Sequence, residues 1–369
     1  MADPANPATD IAVSRRVDFA RLEAKWRDLE TRANPSFFQS WTWMGSLAQE
    51  RFPNPVLVEA TRRGQTVALA LFNRRGRTLY LGASGMPARD TIYVEFNGVL
   101  AETGDEAALT RACLRAARGG GPFARRLVLG GVDDVTATAA ADIGHIHRDQ
   151  SLPSPYVDIS GQAGDFLARR GSNTRYQIRR SDRHYSAVGA IVSRRAETKA
   201  QAEAYLAGLT VLHQESWVSR GQKGAFANPF FARFHKALIS TGLPRGEIDF
   251  LHVLAGERTI GYLYNFRYRG QVLAYQSGFD YGGAGPHGKP GLTCHHLAIE
   301  LAIESGAARY DFLAGDGRYK TSLSGHAAIL HWIEVDFRYS PRSVARGVRR
   351  MLTGLRDRFW PGKNSGGAR

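Results

Sequence analysis

The sequence predicts an α+β fold made of two successive mixed α/β domains. Three observations carry that expectation. At 369 residues the chain is long for one hydrophobic core. Its halves repeat one order of elements: a strand, two helices, three β runs, a helix, a strand, a short segment and a last strand. Three β runs in succession, then a helix and a strand, also depart from the β–α alternation of a doubly wound sheet. A single large α/β domain is the rival reading, because no residue-level repeat accompanies the shared order.

In chain order, residues 11–17 read as a strand. Residues 18–33 read as a helix, with Leu22, Trp26 and Leu29 at helical spacing. A second helix is expected at 41–52. The runs "VLVEA", "TVALALF" and "TLYLGA", separated by Arg/Gly turns, are β-type. "GDEAALTRACLRAARG" has the acidic first turn and glycine stop of a helix. A strand "RRLVLGGV", an Asp-initiated helical segment and a strand "PYVDIS" complete the first domain, 1–163. The second, 164–340, opens with a helix over 165–186 and a strand "AIVSRRAE". Helices "KAQAEAYLAGLTVLHQESW" and "NPFFARFHKALISTG" come next, then β runs "EIDFLHVLAG", "RTIGYLYNFRYRG" and "QVLAYQSGFD". A helix "GLTCHHLAIELAIESGA" and strands "RYDFLAG" and "AILHWIEVDFRY" close it.

Composition excludes several classes. A hydrophobic content of 43% marks a globular chain, and no apolar run approaches the roughly 18 residues of a membrane span. The first residues lack the apolar core of a signal peptide, so a cytoplasmic location is expected. Cys113 and Cys294 are too few for a disulfide framework or a cysteine zinc site. The balance of 49 Lys+Arg against 34 Asp+Glu gives +15, which favours polyanionic partners. Two concentrations stand out. In "RRGSNTRYQIRRSDR", Arg175, Arg179 and Arg183 share one helical stripe suited to an anion. In 341–369, Val344, Val348, Met351, Leu355 and Phe359 recur at helical intervals among arginines. That pattern suits peripheral contact with an anionic membrane, or packing back onto the protein.

The segment "QSGFD…GPHGKPGLTCHHLAIELAIESGAARYDFLAGDGRYKTSL" resembles the acetyltransferase domain called BioF2-like, also found in CelD-like proteins, of the GNAT superfamily. The resemblance rests on a strand, a Pro-Gly start to a helix, a glycine near its end, then Tyr-Asp-Phe, Gly and Tyr-Lys. The upstream "SNTRYQIRRSDR" is similar to the family's Arg-rich helix. The resemblance covers about 165–338, and the first half only through element order. The tandem layout is similar to FemAB-like transferases, which use aminoacyl-tRNA. It implies two GNAT-like domains, each a mixed, mostly antiparallel sheet flanked by helices. It also implies acyl transfer from acetyl-CoA or another acyl-CoA to an amine, less readily a hydroxyl, on a small or carrier-linked acceptor such as a cell-envelope or polysaccharide precursor. Ordinary members carry Arg/Gln-x-x-Gly-x-Gly/Ala before the helix; "GPHGKPGLT" stands there instead, which leaves the donor open.

Within that frame the loop at 285–292 is the candidate donor site. Gly288, Gly291 and Leu292 offer amides at a helix start, Lys289 adds charge, and Pro290 suits the first helical position. Asp311 lies inside an apolar strand, where it needs a basic partner or serves to position an amine. Lys320 is a candidate to stabilise an oxyanion, and Tyr319 to contact the acyl group or protonate a leaving thiolate. His213 is a candidate general base or a satisfied boundary histidine. Trp217 and Tyr275 are candidate substrate contacts. His295 and His296 point about 100° apart on their helix and read as structural, so no metal is expected. Two rivals stand beside acyl-CoA chemistry: an aminoacyl-tRNA-dependent transferase, and a non-catalytic protein that binds RNA or membrane.

Overall fold

The computed structural model describes residues 8–120, 124–161, 166–315 and 317–337; the basic segment 341–369 lies outside them. The first half contains β1 (Asp10–Ser14), α1 (Phe19–Arg32), α2 (Trp41–Gly45), α3 (Ala48–Arg51), β2 (Pro55–Arg62), β3 (Gln65–Arg75), β4 (Thr78–Leu81), β5 (Leu100–Ala101), α4 (Glu106–Ala116), β6 (Arg126–Val132), α5 (Asp134–Ala141) and β7 (Gly144–Asp158). The second contains α6 (Ser172–Ser186), β8 (Ile191–Arg195), α7 (Lys199–Val218), α8 (Pro229–Gly242), β9 (Ile248–Ala255), β10 (Arg258–Tyr268), β11 (Gln271–Phe279), α9 (Pro290–Glu304), β12 (Arg309–Asp311), α10 (Arg318–Leu323) and β13 (His326–Phe337). The expected helix over 41–52 is two pieces, because Leu47 adopts φ 50 between them. The expected strand "RYDFLAG" ends after Asp311, and Tyr319–Lys320 lie on the short helix α10.

Local chemistry accounts for the boundaries. Asp18 caps α1 by accepting from the amides of Ala20 and Arg21, and Leu22, Trp26 and Leu29 form its buried stripe. Thr198 and Gln201 form a capping box on α7, and Pro290 occupies the first turn of α9.

One continuous sheet runs β1-β2-β3-β4-β6-β13-β7-β12-β11-β10-β9-β8, with β5 on β3. Only β4 with β6 and β11 with β12 are parallel among the described pairs. Each half therefore repeats one unit: an antiparallel three-stranded meander, a helix, and a strand that returns parallel to the third. The last strands are exchanged. β7 of the first half pairs with β12 of the second, and β13 of the second pairs with β6 of the first. β7 and β13 then run antiparallel from Tyr156↔His326 to Gly144↔Phe337.

Helices flank both faces, and one core joins the halves. Trp26, Phe37, Phe38 and Trp43 pack with Phe234, Tyr264, Phe266 and Tyr275. Phe37 stacks on Phe266 with ring centroids 4.2 Å apart. Such aromatic pairs add to simple area burial and fix the halves against each other.

The two parallel pairs differ where their strands diverge. In the first, the Asn97 side chain fills the fork by donating to Leu81 O (2.9 Å) and Gly130 O (3.2 Å). The helix behind it, α4, begins with acidic Glu106, whose carboxylate accepts from Gly104 N. A phosphate would meet like charge there. In the second, pairing stops at Leu273↔Asp311. Beyond it β11 continues to Phe279, while the other arm follows β7 through Phe312 N to Pro155 O and Gly315 N to Pro153 O. The helix behind this fork, α9, has no acid in its first turn.

Candidate active site at the fork of the second half

The acid inside the apolar strand is a clasp. Asp311 is fully buried; its Oδ1 accepts from Ser154 Oγ (2.8 Å) and Leu313 N (2.7 Å), and its Oδ2 from the Arg309 guanidinium. Burial raises its pKa even against the charge of Arg309. The basic partner that a buried acid needs is Arg309. Its bond to Leu313 N holds that residue at φ 61, a left-handed conformation uncommon for leucine. This kink turns the chain away from β11 and opens the fork.

Lys320 secures the turned segment. Its Nζ donates to Leu313 O (3.1 Å) and Ala314 O (2.8 Å). The amide of Ala314 donates in turn to Glu95 Oε2 (2.5 Å). Glu95 belongs to the first half, in the segment between β4 and β5. Its neighbours Tyr93 (φ 45) and Phe96 (φ 46) adopt left-handed conformations that shape the approach. It is 9% exposed, and burial pushes its carboxyl up to about 7, opposed by the bond from Ala314 and the charge of Lys320. Both protonation states are therefore populated near neutrality, which suits a general base. The sequence reading missed Glu95. "TIYVEFNG" carries the signal that singled out Asp311, an acid within an aromatic and β-branched run.

His295 spans the arms from the α9 side. Its Nδ1 is 2.9 Å from the Tyr310 hydroxyl, and its ring packs edge-on with Phe279 at the end of β11 and Phe312 past β12. Tyr319 stacks on it at 5.3 Å and 17°. Burial, aided by the charge of Lys320, lowers its pKa to about 3, so the imidazole is neutral. Its Nε2 is buried with no partner among the described residues. Tyr319 is 39% exposed, and desolvation lifts its phenol to about 12.

At the start of α9, Gly288 N donates to Ala284 O (3.2 Å) and Lys289 N to Ser181 Oγ (2.8 Å). The expectation that the Gly288 amide serves a ligand is corrected: this glycine makes a tight turn. A Cβ at Gly288 would lie 2.2 Å from Ala284 O. Gly291 and Leu292 remain as first-turn amides, with Lys289 exposed beside them and Pro290 buried. Helix α6 lies along α9, tied by Ser181 Oγ to Thr293 Oγ1 (2.8 Å) and by Asp182 to Thr293 and His296. Arg180 reaches His287 of the loop. The hydroxyl of Tyr185 is buried beneath the loop with no partner among the described residues. Arg179 and Arg183 are exposed, whereas Arg175 turns back to Arg170 O (2.6 Å). The α9 start thus presents two amides in cationic surroundings, with an orphaned hydroxyl beneath it.

The remaining candidates sit elsewhere. His213 is buried against Trp217, stacked at 5.6 Å, and Phe226, and burial lowers its pKa. Its described contacts do not include Glu95, Lys320 or His295. Tyr275 is buried in the shared core and donates to Ile92 O, so it braces the segment leading to Glu95. Trp217 is half-buried under Arg220, whose guanidinium carbon is 4.9 Å from the ring centroid. Arg220 also lies close enough to Tyr281 for its charge to act on that phenol. Cys294 is buried with its thiol pushed up. His296 bonds Asp182 (3.0 Å) in a structural role. No group of three metal-ligating side chains occurs among the described residues.

A fork between parallel strands, backed by a helix that starts at a glycine-containing turn, is the arrangement that frames the comparison. Residues 172–321 match the family model of the acetyltransferase (GNAT) domain. The chain is also similar to the solved structure of FemX, with 10% identity, 88% of this chain and 97% of that one covered, and a TM-score of 0.59. It is similar to L-PGS from Bacillus licheniformis, with 11% identity, 91% and 96% covered, and a TM-score of 0.53. At such identities the likeness concerns the fold. A search of curated proteins finds no match. The fold is thus two repeated units in one mixed, mostly antiparallel sheet flanked by helices, and the GNAT match spans α6 to α10 of the second. Among the described residues no helix is long and apolar enough to cross a membrane.

Proposed function

We propose that the protein is an N-acyltransferase that moves an acyl group from a thioester of the acyl-CoA type onto an amine. One observation carries this reading: Glu95 of the first half is bonded at the fork of the second half's GNAT unit, with Lys320 on the same segment. In this reading the donor's phosphates rest on the Gly291 and Leu292 amides beside Lys289, and its acyl end enters the fork. The amine nitrogen attacks the carbonyl carbon and the carbonyl electrons move onto oxygen, which the positive charge of Lys320 favours. Glu95 takes the proton released by nitrogen. Collapse breaks the carbon–sulfur bond, and the thiolate takes a proton from Tyr319. Solvent then restores Tyr319 and discharges Glu95.

The experiment is a single-turnover transfer assay with acetyl-CoA and a panel of primary amines, in wild type and E95Q. Transfer that is unaffected by E95Q removes the base from this reading. Absence of transfer, together with no rise in melting temperature on adding acyl-CoA, removes the donor.

A second donor is favoured by one specific feature. The Gly288 and Lys289 amides are engaged within the protein, so the loop offers fewer free amides than its glycines suggest. An aminoacyl-tRNA donor needs less of that loop and would use the exposed Arg179 and Arg183. Activity abolished by ribonuclease and insensitive to added CoA selects it. The non-catalytic alternative predicts salt-sensitive polyanion binding unchanged in K320A.

A further inference from the structure

A cavity of about 180 Å³ opens on the seam between the halves, on the side of the Leu273–Asp311 level away from the fork. Asn34, Phe96 and Asp133 of the first half line it, with Tyr268, Gln271 and Arg309 of the second. It is smaller than the roughly 300 Å³ at which drug-sized sites begin, and accommodates a single ring.

We propose that this cavity holds one neutral, polyhydroxylated ring of the acceptor, a monosaccharide unit. The proposal rests on the acyl-transfer reading and names its substrate class. Four observations point to that chemistry. Phe96 and Tyr268 supply aromatic surface for the C–H face of a sugar. The side chains of Asn34 and Gln271 are exposed and have no hydrogen-bond partner among the described residues, so both amides can donate and accept. Arg309 and Asp133 place opposite charges on one cavity, which disfavours a strongly anionic or cationic occupant and suits hydroxyls that bond to either. Arg309 is held rigid: its guanidinium carbon sits 3.6 Å from the Tyr156 ring centroid and 5.5 Å from that of Phe96, with the Asp311 carboxylate at its tip.

Position supports the assignment. Phe96 directly follows Glu95, and Leu273 is the last β11 residue paired with β12. Arg309 and Asp311 are two residues apart on one strand, about 7 Å. In this proposal the amine of an amino-sugar or glycosyl-linked unit extends from the cavity past the Leu273–Asp311 level toward the base.

The test is a calorimetric titration of the full chain with glucose, galactose and glucosamine, alongside inorganic phosphate and arginine. The expected result is saturable monosaccharide binding, weakened about five- to tenfold when N34A and Q271A are combined. The KM for glucosamine in the transfer assay rises by a similar factor. Both substituted side chains are exposed, and circular dichroism verifies the fold. Failure of every sugar to saturate overturns the proposal. So does sugar binding unaffected by the double variant, or phosphate or arginine displacing the sugar. The two readings fail separately: no transfer by the wild type with intact sugar titration removes the acyl-transfer reading and keeps the cavity, and active transfer without sugar binding refutes the cavity alone.

Discussion

Glu95 and Lys320 grip the same residue from its two sides: Ala314 gives its amide hydrogen to the first and its carbonyl oxygen to the second. A carboxylate from one half and an ammonium from the other thus fix the peptide that forms one wall of the fork. Neither half alone contains the pair.

Replacing Glu95 by Gln keeps an acceptor for Ala314 N and removes the base. Turnover is expected to fall by about 10²–10⁴-fold, with the native fold retained. In wild type, activity rises with pH through the carboxyl's value of about 7, and this limb disappears in E95Q. A pH–rate profile of both proteins checks it.

The same carboxyl predicts a pH dependence of stability. Its folded pKa is raised from 4.5 to about 7, so the native state binds the proton more tightly than the unfolded chain. Stability from this group is complete below pH 4.5 and is lost as pH rises to 7, by on the order of 3 kcal/mol. Urea unfolding at pH 4.5 and pH 7.5 is expected to show this loss in wild type and a smaller one in E95Q.

Asp311→Ala leaves the partly buried Arg309 guanidinium and the buried Leu313 amide without their acceptor. The expected destabilisation is about 3–5 kcal/mol by equilibrium denaturation. Arg309→Met combined with Asp311→Ala removes both charges and is expected to cost less than the sum.

Gly288→Ala forces the turn before α9 to move, because the added methyl meets the Ala284 carbonyl. Donor KM is expected to rise about tenfold or more, with acceptor KM little changed. An unchanged donor KM separates this loop from the donor.

Asn97→Ala removes two buried bonds that close the fork of the first half. A loss of about 2 kcal/mol is expected. Donor affinity is expected to stay unchanged, since the acidic start of α4 repels phosphate.

Element order and composition were enough to read the tandem α+β architecture, because the meander–helix–strand unit leaves periodic apolar runs in sequence. An acid inside an apolar run singled out Asp311, a glycine-containing helix start singled out α9, and the family resemblance singled out Lys320. Glu95 was hidden because its importance comes from a contact across the whole chain. The use of the Gly288 amide was equally invisible: glycine signals freedom of backbone, and only coordinates show whether that freedom serves a turn or a ligand. His213 shares its helix with core leucines, and periodicity could not tell a cleft wall from an aromatic cage. The break at Leu47 had no local mark, since leucine favours helix and only packing holds it left-handed.

The exchange of β7 and β13 makes the chain an interlocked whole. A fragment trimmed to the GNAT match at 172–321 surrenders β7, on which β12 leans, together with the carboxylate at its fork. Such a piece is expected to be insoluble or inert, and co-expressing residues 1–163 alongside 164–369 is expected to restore a working molecule.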